Sequence, residues 1–239
     1  MDAFALVSPP ESMRDMTTDR PDVTESPYTV DAGHVQVEVD ALSAELDEGV
    51  TELWVAHTAV RLGLTRSTEV QLVVEPWRHV EGLTGVGDLT LRGKLNLWGN
   101  DSGPTALGLM PFVRLPTADA GLGTGHVEGG LLLLLGFRLP AGWELSTMLA
   151  AAAADHDDHY GPDLIATGSL AYEFVSEVSG YLEPASVLPL EHPGQLDLTV
   201  NGGLVLVLGD DLAIDGGARV GLTDAATGLA LFVGGSARY

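Results

Sequence analysis

The sequence predicts an all-β fold: a single closed antiparallel transmembrane β-barrel of the bacterial outer-membrane type, with about twelve strands. Three observations predict it. Apolar and polar residues alternate over long stretches, the connections between those stretches differ in length in a regular order, and the last stretch stops on an aromatic residue of its apolar face, Tyr239.

Composition narrows the alternatives first. The chain has 239 residues, 30 Gly, no Cys and 45% hydrophobic residues, spread so evenly that runs such as Leu131 to Leu135 stay far too short for a helix to span a membrane. A membrane-spanning helix needs about 20 apolar residues, so strands must do any spanning. The absence of cysteine excludes a disulfide framework and thiol chemistry. With 34 Asp+Glu against 11 Lys+Arg the net charge is −23, which repels the phosphates of a nucleic acid and leaves cations and cationic partners compatible. No basic region followed by an apolar one opens the sequence, so an exported form is expected to have had its signal peptide removed.

Along the chain, residues 1–27 are polar, Pro-rich and without period, and are expected to form an extended periplasmic arm. The barrel is expected over 28–239. Val35, Val37 and Val39 alternate with Gln36, Glu38 and Asp40, the period of a strand with one apolar face. Leu89, Leu91, Leu95 and Leu97 alternate with Asp88, Thr90, Arg92, Lys94 and Asn96, and Leu196, Leu198, Val200, Leu204, Leu206 and Leu208 repeat the pattern later. Leu229, Leu231 and Val233 carry it into the final strand. Strands are therefore expected at 28–42, 51–64, 67–78, 87–98, 104–115, 127–139, 142–154, 163–176, 178–189, 195–208, 211–222 and 228–239. The segments 43–50, 79–86, 116–126, 155–162, 190–194 and 223–227 become external loops, and the mostly shorter ones between them become periplasmic turns.

A soluble β-sandwich shows the same period. The length order of the connections, strands longer than the usual 5–6 residues, and the aromatic end favour the membrane barrel. Aromatic content, at 6%, is thin for a fold that wears aromatic girdles, although Trp54, Trp77, Trp98, Trp143, Tyr172 and Tyr239 fall in strands or near their ends.

The stretch from Thr18 to Pro27, leading into Thr29 to Glu38, resembles the amino-terminal signature of outer-membrane proteins of the MetA-pathway of phenol degradation family. The segments Gly85 to Lys94, Arg114 to Thr117 and Gly217 to Thr223 resemble it more weakly. The resemblance implies an outer-membrane channel or transporter for small solutes, aromatic or anionic ones among them, and supplies no catalytic residues.

With apolar residues facing lipid, the alternate positions face the lumen. Glu38, Asp40, Glu69, Arg92, Lys94, Arg114, Arg138, Glu173, Asp197 and Arg219 are expected to line the pore, with Gln36, Asp88, Glu144 and Asp215 beside them. The plainer reading is that these charges pair across neighbouring strands, because an unpaired buried charge is costly. The functional reading is a selective constriction. In it Arg92, Lys94, Arg114 and Arg138 form a basic ladder opposite acidic residues, a field suited to polar or anionic small molecules.

The run Asp155-His156-Asp157-Asp158-His159 holds cation-ligating types, but its spacing fits a solvated loop better than a site. Gly121-Leu122-Gly123-Thr124-Gly125 lacks the strand-to-helix context and the Lys of a phosphate loop. No Gly-x-Ser-x-Gly elbow exists, and His79, His126 and His192 have no adjacent Ser. No cofactor and no metal are expected, and the chain is not expected to be an enzyme. An outer-membrane lipid hydrolase and a soluble ligand-binding barrel remain the alternatives. The expected partners are membrane lipid, small-molecule solutes and, through the strand ending at Tyr239, the outer-membrane assembly machinery.

Overall fold

The computed structural model describes residues 7–9, 12–47, 49–156 and 159–239, whose strands form one antiparallel sheet. In chain order they are β1 (Val35–Asp47), β2 (Val50–Thr65), β3 (Thr68–Val74), β4 (Trp77–Val80), β5 (Leu83–Gly85), β6 (Leu89–Trp98) and β7 (Thr105–Leu115). They continue as β8 (Glu128–Arg138), β9 (Trp143–His156), β10 (His159–Val175), β11 (Val178–Pro189), β12 (Asp197–Val207), β13 (Leu212–Gly221) and β14 (Leu229–Arg238). Each long strand pairs with its sequence neighbour, and β1 pairs with both β2 and β14, which closes the ring. Val35 and Tyr239 exchange two backbone hydrogen bonds at the seam, of 3.0 and 2.8 Å. The hairpin β4–β5 branches from β2 at the rim, so twelve strands form the wall. Closure matters energetically because a free sheet edge in lipid leaves every edge N–H and C=O without a partner.

Burial is inverted relative to a water-soluble domain. Leu42, Leu62, Leu91, Leu95, Leu131, Leu149, Leu182, Leu204 and Val233 are exposed on the outside, whereas Gln36, Glu38, Arg61, Glu69, Lys94, Glu183 and Asn201 are buried within. The period-2 alternation places these two sets on opposite faces of the strands that carry them, while β7, β8 and β9 turn Met110, Leu132, Leu134, Met148 and Ala150 inward; only a lipid exterior makes the apolar outside favourable. The ring of Trp143 lies tilted at 4.6 Å from Tyr172, which meets Phe174 edge-on at 5.4 Å, and with Trp98 they mark the interface at the turn end. Trp54, carrying Arg78 over its ring at 5.2 Å, and Trp77 mark the loop end. The sparse aromatics are thus concentrated where a girdle needs them.

Several strand boundaries differ from expectation. β1 begins at Val35, not at 28, because residues 28–34 bond to the inside of the wall instead of extending it. The segments expected as long loops at 43–50 and 155–162 are mostly strand, since β1 and β2 pair up to Asp47 and Val50, and β9 and β10 up to His156 and His159. A bulge between Asp40 and Leu42 shifts the register of β1 and turns Glu45 inward, which hid the continuation of the strand. The third expected strand breaks at Glu75-Pro76 into β3 and β4, because proline has no N–H to give the ladder. The cation-type run lies partly outside the described residues; its Asp155 accepts from His126 Nδ1 at 2.6 Å.

The described part of the arm enters at the turn end, climbs to mid-barrel over residues 19–25 and returns to start β1. Pro27 packs against the inner faces of β7 and β8, where a Cβ on Gly108 or Gly136 would come within 3.2 or 3.0 Å of it. A Cβ on Gly63 would collide with the carbonyl oxygen of Asp31.

Candidate functional site

The lumen is built from inward-facing side chains of the wall and polar groups of the arm, and the two sets complete each other. Arg61 on β2, 1% exposed, lies among Asp19, Glu38 and Glu69 at 3.1, 2.7 and 3.0 Å. Lys94 on β6 reaches Asp19 at 2.6 Å and Glu69 at 3.7 Å. Burial pushes the Asp19 carboxyl up, but the neighbouring Arg61 and Lys94 charges outweigh it and hold the group well below the usual carboxylate range. Higher up, Arg20 of the arm bridges Asp40 on β1 and Asp215 on β13, and Arg92 on β6 meets Glu25 of the arm at 2.5 Å.

Glu183 on β11 holds the tip of the arm. Its fully buried carboxylate accepts from the backbone N–H of Val23 at 2.9 Å and of Thr24 at 2.7 Å, and from Asn201 Nδ2 at 2.6 Å. Nearer the mouth, Glu69 accepts from Val30 N at 2.6 Å and Asn96 donates to the Pro27 carbonyl at 2.8 Å.

Between the tip of the arm and the wall lies a cavity of about 240 Å³, toward the loop end of the barrel. Arg20, Asp22, Val23 and Glu25 of the arm line it, with His57, Val73, Arg92, Asn201, Arg219 and Phe232 of the wall. Burial first, then the Glu183 charge, push Asp22 up to about 8. Burial likewise pushes Glu25 up to about 7 against the opposing pull of Arg92.

Of the residues expected to line a pore, Glu38, Asp40, Glu69, Arg92 and Lys94 are brought together around the arm. Asp40 also contacts His57 Nδ1 at 3.2 Å. Arg219 pairs with Glu45 above them, with Asp197 in the same electrostatic neighbourhood. Arg114 pairs with Glu128 at 3.2 Å near the loop end. Arg138 sits at the opposite end, 3.8 Å from Glu144 and 5.2 Å from the ring of Tyr28, and Glu173 is exposed near that same end. The four bases expected to form a ladder are therefore dispersed, each beside a carboxylate.

Arg61, Glu183 and Asn201 are not among the residues expected to line the lumen, although each occupies the polar phase of its strand: Arg61 between Val60 and Leu62, Glu183 after Leu182, Asn201 after Val200. Applying the alternation through β2, β11 and β12 would have found them. The arm residues Asp19, Arg20 and Glu25 carried no such periodic signal.

A hydrolase would need a Ser hydroxyl bonded to a His. His57 bonds Asp40, His79 bonds Thr84 Oγ1 at 2.6 Å and His126 bonds Asp155. Ser43 shares the cavity with His57 without a hydrogen bond between them.

Comparison with solved structures finds the same fold. An outer membrane channel from Pseudomonas putida F1 superposes with a TM-score of 0.63 at 14% identity, over 93% of this chain and 100% of that one. The beta domain of the Bordetella autotransporter BrkA gives a TM-score of 0.48 at 12% identity over 87% and 98%, too low to carry an argument. The family model described as "Putative MetA-pathway of phenol degradation" matches residues 18–239, from the arm through the last strand. The chain has the fold of an outer-membrane-type β-barrel, and it belongs to that family.

Proposed function

We propose that the protein is a passive outer-membrane channel for small solutes, whose path runs through the lumen and is narrowed by the arm between residues 12 and 34. The observation that carries this reading is the wet, charged interior of a closed ring: an array of buried Asp, Glu, Lys and Arg side chains inside an apolar exterior. No chemistry is required of such a lumen, since polar walls and size select what passes. Small aromatic and polar molecules fit the proposal. Anion selectivity would need free basic groups, and Arg92, Lys94, Arg114 and Arg138 each face a carboxylate. Contact of β14 with the outer-membrane assembly machinery belongs to the same proposal, supported by its role as the strand that seals the ring against β1.

Planar bilayers test the reading. The protein is expected to give discrete conductance steps that favour cations over anions, and a variant lacking residues 12–30 is expected to give larger steps. A folded, inserted protein without steps in either form would refute a channel role.

A further inference from the structure

The cavity at the tip of the arm is short of hydrogen-bond donors. Glu25 uses one carboxylate oxygen on Arg92, and its other oxygen, Oε2, is buried and accepts no hydrogen bond, with the Asp19 carboxyl beside it. Asn201 is 2% exposed and donates through Nδ2 to Glu183, which leaves its Oδ1 buried and unbonded as well. Both residues line the same cavity, with the Asp22 carboxyl on the same lining. A buried acceptor without a donor costs roughly 1–3 kcal/mol, so two of them in one cavity mark a place that a donor would fill.

The cationic groups of the lining already face acids. Arg20 is taken by Asp40 and Asp215, Arg92 by Glu25, Arg219 by Glu45, and His57 by Asp40. What remains is a surplus of carboxylate and amide oxygens beside the apolar surfaces of Val23, Val73 and Phe232. Among the described residues no group of three His, Cys, Asp or Glu side chains is placed to hold a metal ion. At about 240 Å³ the space is below the 300–1,000 Å³ of pockets for drug-sized ligands.

We propose that this cavity is a binding site for the ammonium group of a small primary amine, with Glu25 Oε2, Asn201 Oδ1 and the Asp22 carboxylate receiving its N–H groups and Val23, Val73 and Phe232 covering its hydrocarbon part. An ammonium brings three donors on one positive centre, two for the unbonded oxygens and one for the Asp22 carboxylate, and its sign suits the acidic lining. The raised Asp22 and Glu25 carboxyls agree with this: in the unfilled cavity they retain protons that a bound cation displaces. The site deepens the channel reading and rests on it only for its physiological use.

Isothermal titration of the full-length protein in detergent with n-butylammonium chloride tests the proposal, with sodium butyrate, 1-butanol and magnesium chloride as comparison probes. Butylammonium is expected to bind, butyrate and butanol at least on the order of tenfold more weakly, and the heat to depend on the ionisation enthalpy of the buffer because protons leave. Glu25→Gln and Asp22→Asn, both on the arm and so without effect on the ring, are each expected to weaken binding about tenfold. Glu144→Gln, exposed at the opposite end, should leave it unchanged. Protection of the arm from protease confirms docking in each variant. Absence of butylammonium binding, equal binding of butyrate, preference for magnesium, or unchanged affinity in both docked arm variants would each overturn the site. Calorimetry does not require conduction, so binding without conductance steps would retain the site and remove the channel, and steps without binding the reverse.

Discussion

Replacing Glu183 by Ala should release the arm. Its carboxylate is fully buried in the wall and receives two backbone N–H groups from the arm, Val23 at 2.9 Å and Thr24 at 2.7 Å. Hydrogen bonds to a charged group contribute roughly 1.5–3 kcal/mol each, hence about 3–6 kcal/mol for the pair. Water entering the lumen satisfies part of what is lost, so the lower end of that range, about 3 kcal/mol, is the working value. That raises the undocked population on the order of 100-fold. Thr24 Oγ1 also loses Glu183 but keeps Thr167 at 2.7 Å, so the wall and the rest of the arm stay intact. In planar bilayers the variant should show larger and longer conductance openings than the wild type, and in liposomes a protease admitted to the turn-end side should cut between residues 12 and 34 faster. If openings and cleavage both match the wild type while the barrel is folded, Glu183 does not hold the arm and the reasoning fails.

Three further perturbations follow from the same contacts. Arg61→Ala leaves Asp19, Glu38 and Glu69 facing one another without their shared cation, and breaking a buried charge network of this kind costs roughly 3–5 kcal/mol; the midpoint of denaturant unfolding should fall accordingly, and an unmoved midpoint would show the network to be hydrated. Leu182→Arg, at a position 60% exposed toward lipid in the body of β11, should cost roughly 2–4 kcal/mol in bilayer stability. The same substitution in a water-soluble domain would be nearly silent, so a silent result argues against the lipid face. Raising the pH should loosen the arm: Asp22 and Glu25 carry raised values when docked, so their contribution to docking is complete in acid and is lost as pH climbs through about 7 to about 8. Conductance should therefore increase between pH 6 and pH 9 in the wild type and less so in Asp22→Asn.

The ring was legible because its signal is periodic. Strands such as β1, β6, β12 and β14 alternate two chemistries, and their buried polar residues, among them Gln36, Glu38, Thr90, Lys94, Thr199, Asn201 and Ser236, fall in the expected phase. The strand limits were less legible where the phase slips, as at Asp40–Leu42, or where a proline interrupts the ladder, as at Pro76. The lumen was half legible. Alternation shows that Glu38 and Lys94 point inward, yet it cannot show that they meet Asp19, because the arm has no period and its position depends on contacts 19 and 75 residues away in sequence.

The arm's two ends lie side by side. Ser8 N bonds the Ala32 carbonyl at 2.8 Å, and Arg14 pairs with Asp31 at 2.9 Å, both at the turn-end mouth. A segment that goes in and comes out by one opening is a bight, not a threaded cord, so it can enter a ring that is already sealed and leave it without any wall hydrogen bond opening. Closing the barrel and filling it are therefore separable events, and the wall can be assembled first with its interior full of water. The same geometry lets a solute that displaces the arm push it back toward the mouth it came from, and lets the arm reseat afterwards on the carboxylates and cations that hold it.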